Sequence, residues 1–268
     1  MLFKADRLIF EAAAKRPVFG LDTSLPIASL AILSGGKITA TLNRPVASHG
    51  AALPGAMGDL LRSAGIGFRD LGAIAVGTGP GSFTGLRIGI AYAKGIAAAT
   101  GCALVGTPSF DATTVAVQKS ENLREDTLIC PIIDARKHEV YCALYRTVPD
   151  GLEKVLEESV VTLEDLVPRV AGDVIFAGDA KAAEAAGRLA ELGRAANVVD
   201  YAAIESRGAY IAALGAARLA RVESASAALE PMYIRPADAI FRPASKRSPD
   251  GSTEGIWSKE RKNSFSSI

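Results

Sequence analysis

An excess of charge of either sign is the first thing this sequence lacks: 30 Lys and Arg stand against 29 Asp and Glu, a formal net of +1. A chain that held nucleic acid by bulk electrostatics would carry a marked basic surplus, so that class is excluded, although a small basic patch is not. Histidine is scarce. His49 and His138 lie far apart, and four residues after His49 stands Leu53, so no His-x-x-x-His metal pair exists. Cys102, Cys130 and Cys142 form no CxxC pair and no even framework, which fits a reducing cytoplasm and three small buried hydrophobes. No Gly-x-Ser-x-Gly elbow marks a nucleophile. Long apolar runs are missing too, because Lys94 interrupts the best one, residues 88–105, short of the roughly 18–20 residues of a membrane span. Residues 1–17 include Asp6 and Glu11 and no apolar h-region, so they read as an amphipathic helix or loose extension and not as a signal peptide.

What is present is ample core material, 49% hydrophobic residues in 268, arranged twice in one grammar. Residues 18–21 form an apolar strand stopping at Asp22-Thr23-Ser24; strands at 27–33 and 37–43 follow around a Gly35-Gly36 turn. A helix over 48–64 carries Leu53, Met57 and Leu60 on its apolar side, with Pro54 expected to kink it. A strand at 73–76, a glycine loop, a helix over 82–99, a strand at 103–106 and a helix over 109–118 complete the first half. The charged stretch 119–126 is the best boundary. After it, strands at 128–133, 140–145 and 155–161, a short helix capped at Thr162, a strand at 174–177 and helices over 180–192 and 206–221 repeat the order. Asp134 answers Asp22 and Gly178 answers Gly77. A repeat of about 100 residues implies a duplicated domain and not a solenoid. The expected fold class is α/β, two lobes with mixed sheets facing a cleft: lobe one 18–119, lobe two 120–235. Arg242–Ile268 holds six Lys/Arg, three Asp/Glu and few large apolar residues, so 236–268 is expected to be a disordered tail.

Three features bear on chemistry. Asp22, beside Thr23 and Ser24, ends a buried strand at the cleft, where a carboxylate suits a hydrated Mg²⁺ and the hydroxyls a phosphate; a local Asx or Ser/Thr turn explains it equally simply. The loop Gly77-Thr78-Gly79-Pro80-Gly81-Ser82 precedes a helix, as phosphate cradles do. It lacks the Gly-Lys-Ser/Thr of a P-loop, and Ser82 replaces the third glycine of a dinucleotide fingerprint, so a tight strand-to-helix turn capped by Ser82 serves as well. Third, Gly85, Gly89, Ala93 and Ala97 recur every fourth residue, a stripe bare enough for close helix packing, either on the chain's own sheet or on another subunit.

The string Val76-Gly77-Thr78-Gly79-Pro80-Gly81-Ser82-Phe83-Thr84-Gly85-Leu86-Arg87-Ile88-Gly89 with Ala93-Lys94-Gly95 resembles the signature of the TsaB (YeaZ) family, as do Leu21-Asp22-Thr23-Ser24, Ser48-His49 and Pro231-Met232-Tyr233-Ile234-Arg235. The likeness covers residues 18–235. It implies a duplicated actin-like/Hsp70-like (ASKHA, ribonuclease H-like) fold in a cytoplasmic protein. The implied role is that of a non-catalytic partner of TsaD, which transfers threonylcarbamoyl to adenosine 37 of tRNAs reading ANN codons. A TsaE ATPase engages the pair, and tRNA binds through the complex. The resemblance further implies that the two first-lobe helices form a bundle with TsaD or with a second copy of the chain. That makes Ser48, His49, Leu53, Met57, Leu60, Phe83, Gly85, Arg87, Gly89 and Ala93 the expected interface. No cofactor or metal is expected in this chain, ATP and a metal belonging to its partners. The alternative is an ATP-binding or ATP-hydrolysing ASKHA enzyme using Asp22, Thr23, Ser24, Gly79, Gly81 and Ser82.

Overall fold

The computed structural model describes residues 2–3, 16–45, 49–121, 123–149, 151–221 and 229–234. After a two-residue strand β1 (Leu2–Phe3), the chain forms β2 (Val18–Asp22), β3 (Ile27–Ser34), β4 (Lys37–Pro45), β5 (Ala73–Gly77) and β6 (Ala103–Thr107). These last five make one sheet in the order β4-β3-β2-β5-β6, antiparallel from β2 to β4 and parallel from β2 to β6. The pattern then recurs. Strands β7 (Leu128–Arg136), β8 (Glu139–Val148) and β9 (Gly151–Thr162) form an antiparallel meander, and β10 (Val174–Gly178) and β11 (Asn197–Asp200) continue from β7 in parallel. The fold is α/β with two mixed-sheet lobes, as the repeated grammar implies. Of the N-terminal extension, Leu2–Phe3 pair as β1 with the edge strand β9, and residues 4–15 lie outside the described residues. The tail, 236–268, lies outside the described residues.

Side-chain alternation sorts the layers. Phe19 and Leu21 of β2 and Ile74 and Val76 of β5 face helices α1 (His49–Ser63) and α2 (Phe83–Thr100), closing a core with Leu53, Met57, Leu60 and Ile90. The opposite face, Val18, Ala73 and Ala75, belongs to a core shared with α3 (Ser109–Ser120) and the last helix of the described chain. Helices α4 (Leu163–Leu166) and α5 (Ala180–Glu191) cover the outer face of the second sheet, over Cys130, Ile132 and Phe176. That last helix, α6 (Arg207–Leu219), packs on β2, β3 and β5, although it follows the second sheet in sequence. Conversely α3, which follows the first sheet, packs on β7, β8 and β10. The boundary near 119 thus separates sheets but not helices: the lobes exchange one helix each.

That exchange demands small residues. A Cβ on Gly20 would stand 2.8 Å from the Ala212 Cβ, and one on Gly208 would stand 2.7 Å from the Ser29 carbonyl oxygen. Here α6 presses its backbone onto the sheet. Pro54 lies inside α1 and supplies no N–H to the carbonyl of Gly50 four residues earlier. The Tyr92 hydroxyl of α2 donates to that oxygen at 3.3 Å, so the helix continues through the proline.

A buried ionic cluster joins the exchanged helices to the second sheet. Lys154 Nζ lies 3.0 Å from Asp111 Oδ1 and 2.7 Å from Glu158 Oε1. Tyr145 donates to Asp111 Oδ1 at 2.8 Å, and Arg218 Nη2 stands 3.6 Å from Asp111 Oδ2. Burial raises the Asp111 carboxyl above its ordinary value against the pull of Lys154. Burial works to lower Lys154, but Asp111 and Glu158 outweigh it and hold the ammonium above its usual 10.5.

Candidate functional site

At the carboxyl end of β2 the chain buries Asp22, Thr23 and Ser24 almost completely. Asp22 Oδ1 accepts the Ser24 N–H at 2.8 Å, which is the Asx turn, and lies 3.4 Å from Ser109 Oγ. Its Oδ2 accepts Arg207 Nε at 3.1 Å, and Arg207 itself is 4% exposed. The carboxylate that suited a Mg²⁺ ion is already neutralised inside the chain.

The glycine loop is committed in the same way. The Thr78 N–H goes to the Thr107 carbonyl at 2.9 Å, the Gly79 N–H to Ser109 Oγ at 3.2 Å and the Ser82 N–H to the Ser24 carbonyl at 2.7 Å. Ser82 Oγ caps α2 by accepting the Gly85 N–H at 3.2 Å. A phosphate cradle needs such amides pointing at the ligand. Here they hold the loop against the end of β6, the start of α3 and the turn after β2. Residues 229–234 then lie across it: the Met232 N–H donates to the Thr78 carbonyl at 2.8 Å, and Leu229 packs over Gly106 and the first-lobe core. Thus Asp22, Thr23, Ser24, Gly79, Gly81 and Ser82 do come together as expected, but as a structural knot and not as an open nucleotide pocket. Among the described residues no group of three or more His, Cys, Asp or Glu is placed to hold a metal ion.

The interface expectation divides. Ser48 lies outside the described residues, as does the side chain of His49. Leu53, Met57 and Leu60 are corrections: each is at most 3% exposed in the chain's own core, where the apolar stripe of α1 meets the sheet. Gly85, Gly89 and Ala93 are corrections as well. The Thr23 hydroxyl donates to the Gly85 carbonyl at 2.8 Å, a Cβ on Gly89 would collide with Thr23 Oγ1, and Ala93 is fully buried. Gly85 and Gly89 seat the β2–β3 turn, Ala93 belongs to the chain's own core, and Ala97 is half-buried. Phe83 and Arg87 are exposed, as the interface reading requires. On the outward sides of the same helices other small residues stand open: nothing lies within 4 Å of a Cβ added to Gly55 or Gly95, and Ala91 and Ala98 are exposed. Sequence reading missed Arg207, Ser109 and Tyr233. Of these, Tyr233 alone carried a signal, inside the quoted Pro231–Arg235 string.

A family model described as TsaD, tRNA N6-adenosine threonylcarbamoyltransferase, matches residues 45–238. The chain is 29% identical over 167 residues to the tRNA threonylcarbamoyladenosine biosynthesis protein TsaB of Escherichia coli, covering 60% of this chain and 70% of that one. The chain belongs to the TsaB (YeaZ) family. The Haemophilus influenzae TsaB is 34% identical over 124 residues, 46% of this chain and 51% of that one, so the matched stretch spans only about half of that relative. A solved Pseudomonas aeruginosa protein, described as similar to the peptidase YeaZ, superposes with a TM-score of 0.66 at 26% identity, covering 82% of this chain and 100% of that chain. The contiguous string around the glycine loop, Val76–Gly89, ties the end of β2 to α2 and α3. No described helix is long and apolar enough to cross a membrane.

Proposed function

We propose that this chain is the non-catalytic partner subunit of a TsaD-type transferase that threonylcarbamoylates adenosine 37 of ANN-decoding tRNAs. One observation carries the non-catalytic part: the Asp22 carboxylate and the amides of Thr78, Gly79 and Ser82 are spent on bonds within the chain. The ATP-dependent enzyme reading would need those same groups for Mg²⁺ and phosphate, so it loses its machinery. ATP and a metal are assigned to the partner subunits, and the protein to the cytoplasm.

The chain acts by binding. A subunit that docks better on the active conformation of its partner shifts the population toward it, without touching the reacting atoms. The proposed docking face is the outward side of α1 and α2, around Gly55, Ala91, Gly95 and Ala98. A second copy of the chain would use it when TsaD is absent, and a TsaE-like ATPase and tRNA would join the assembled pair. The test is reconstitution of the modification with the TsaD-type subunit, the TsaE-type ATPase and the adenylate-forming enzyme, omitting this chain and adding it back. Modification should depend on the chain, and Gly95→Arg should abolish complex formation on size-exclusion chromatography while leaving the fold intact. Modification at full rate without the chain would refute the reading. Loss of Mg-ATP binding on Asp22→Ala would restore the enzyme alternative.

A further inference from the structure

The first turn of α2 carries a side-chain arrangement that neither the docking face nor the buried knot uses. Phe83 and Tyr233 are 44% and 46% exposed, with ring centroids 5.5 Å apart at 43°. The Arg87 guanidinium lies 3.8 Å above the Phe83 ring, and its Nε donates to the Tyr233 hydroxyl at 2.9 Å. Its two terminal nitrogens have no partner among the described residues. An arginine pinned by stacking and by one hydrogen bond holds its remaining donors as a fixed fork, suited to a phosphate or a carboxylate. Beside the fork, the Tyr233 ring offers an open π-face.

We propose that Phe83, Arg87 and Tyr233 form a clamp for one unstacked nucleotide of RNA, with a phosphate on the Arg87 fork and the base on the Tyr233 ring. The proposal deepens the tRNA reading above and rests on it. The open ring favours RNA over an acidic protein, because a lone acidic side chain would use the fork and leave the Tyr233 ring empty. Residues 1–234 hold 23 Lys/Arg against 25 Asp/Glu, so attraction to a polyanion must be local. Aromatic stacking together with a phosphate contact is the usual chemistry by which proteins hold splayed RNA bases.

The experiment measures fluorescence anisotropy of a short labelled oligouridine and of tRNA with the full chain, alone and with the TsaD-type subunit. Tyr233→Ala should weaken binding about tenfold, the scale of one lost stack. Arg87→Ala should weaken it and lower the salt-dependence slope by about one. Arg87→Lys keeps the charge without the fork and should rescue only part. Both positions, Arg87 and Tyr233, are exposed, so thermal melting should not change. Three results would overturn the clamp: no RNA binding by the parent chain in either setting, RNA binding unchanged in the variants, or variants that lose the TsaD-type subunit while keeping RNA. The last outcome would make the patch a protein contact. None of these decides whether modification depends on the chain, so the clamp and the partner-subunit reading fail separately.

Discussion

Replacing Arg207 by methionine tests the central claim about the cleft, that it is closed from within. Asp22 is fully buried, and Arg207 is the cation at its Oδ2, 3.1 Å away. Methionine retains much of the apolar stem but leaves the carboxylate with the Ser24 amide and Ser109 alone. Breaking a buried pair from one side costs about 3–5 kcal/mol, because the remaining charge has neither water nor a counter-ion. For a body of this size each kcal/mol lowers Tm by about 2–4 °C, so Arg207→Met should fall on the order of 6–20 °C below the parent. Asp22→Asn should also destabilise, by stranding the guanidinium. The double variant removes both charges and should recover a large part of the loss, giving a coupling of about 2 kcal/mol or more in a double-mutant cycle. Urea unfolding in low and high salt is the assay. A pair this deep should show little screening. If Arg207→Met stays within about 1 kcal/mol of the parent, or if the two single effects simply add, then Arg207 does not neutralise Asp22. The carboxylate would then be available to a cation, and the case against nucleotide chemistry would fail.

Other expectations follow from the same geometry. Gly89→Leu should lower the melting temperature of the isolated chain, because its side chain collides with Thr23; a variant that melts like the parent but fails to form complexes would return the stripe to the interface. Tyr92→Phe strands the Gly50 carbonyl above Pro54 and should cost about 1 kcal/mol in urea unfolding. Lys154 has its folded pKa raised above 10.5, so the stability it contributes is complete below about that pH and is lost as pH rises through the higher folded value. Lys154→Met should therefore destabilise at neutral pH, by removing the ammonium that Asp111 and Glu158 share and leaving Asp111 with only Arg218 and Tyr145. It should also flatten the alkaline limb of the stability–pH curve; an unchanged limb would show that Lys154 does not titrate with folding.

Sequence by itself determined the repeating strand and helix order, the turn after each lobe's first strand, and the cap and exit of α2. These depend on neighbours close along the chain: alternation within a strand, Ser82 three residues before Gly85, and Gly101 at a φ of +74°. The family signature was legible for the same reason, being contiguous. Tertiary structure alone decided what the conspicuous residues do. A glycine stripe looks identical whether its own chain or another covers it, and only the tertiary structure shows Thr23 lying under Gly89. Asp22 reads as a ligand until Arg207, 185 positions later, is seen to meet it. Arg87 and Tyr233 are 146 positions apart, and α3 and α6 each lie against the sheet of the other half. Such pairings arise from how two lobes trade helices to bury their facing surfaces, a condition that no local pattern encodes.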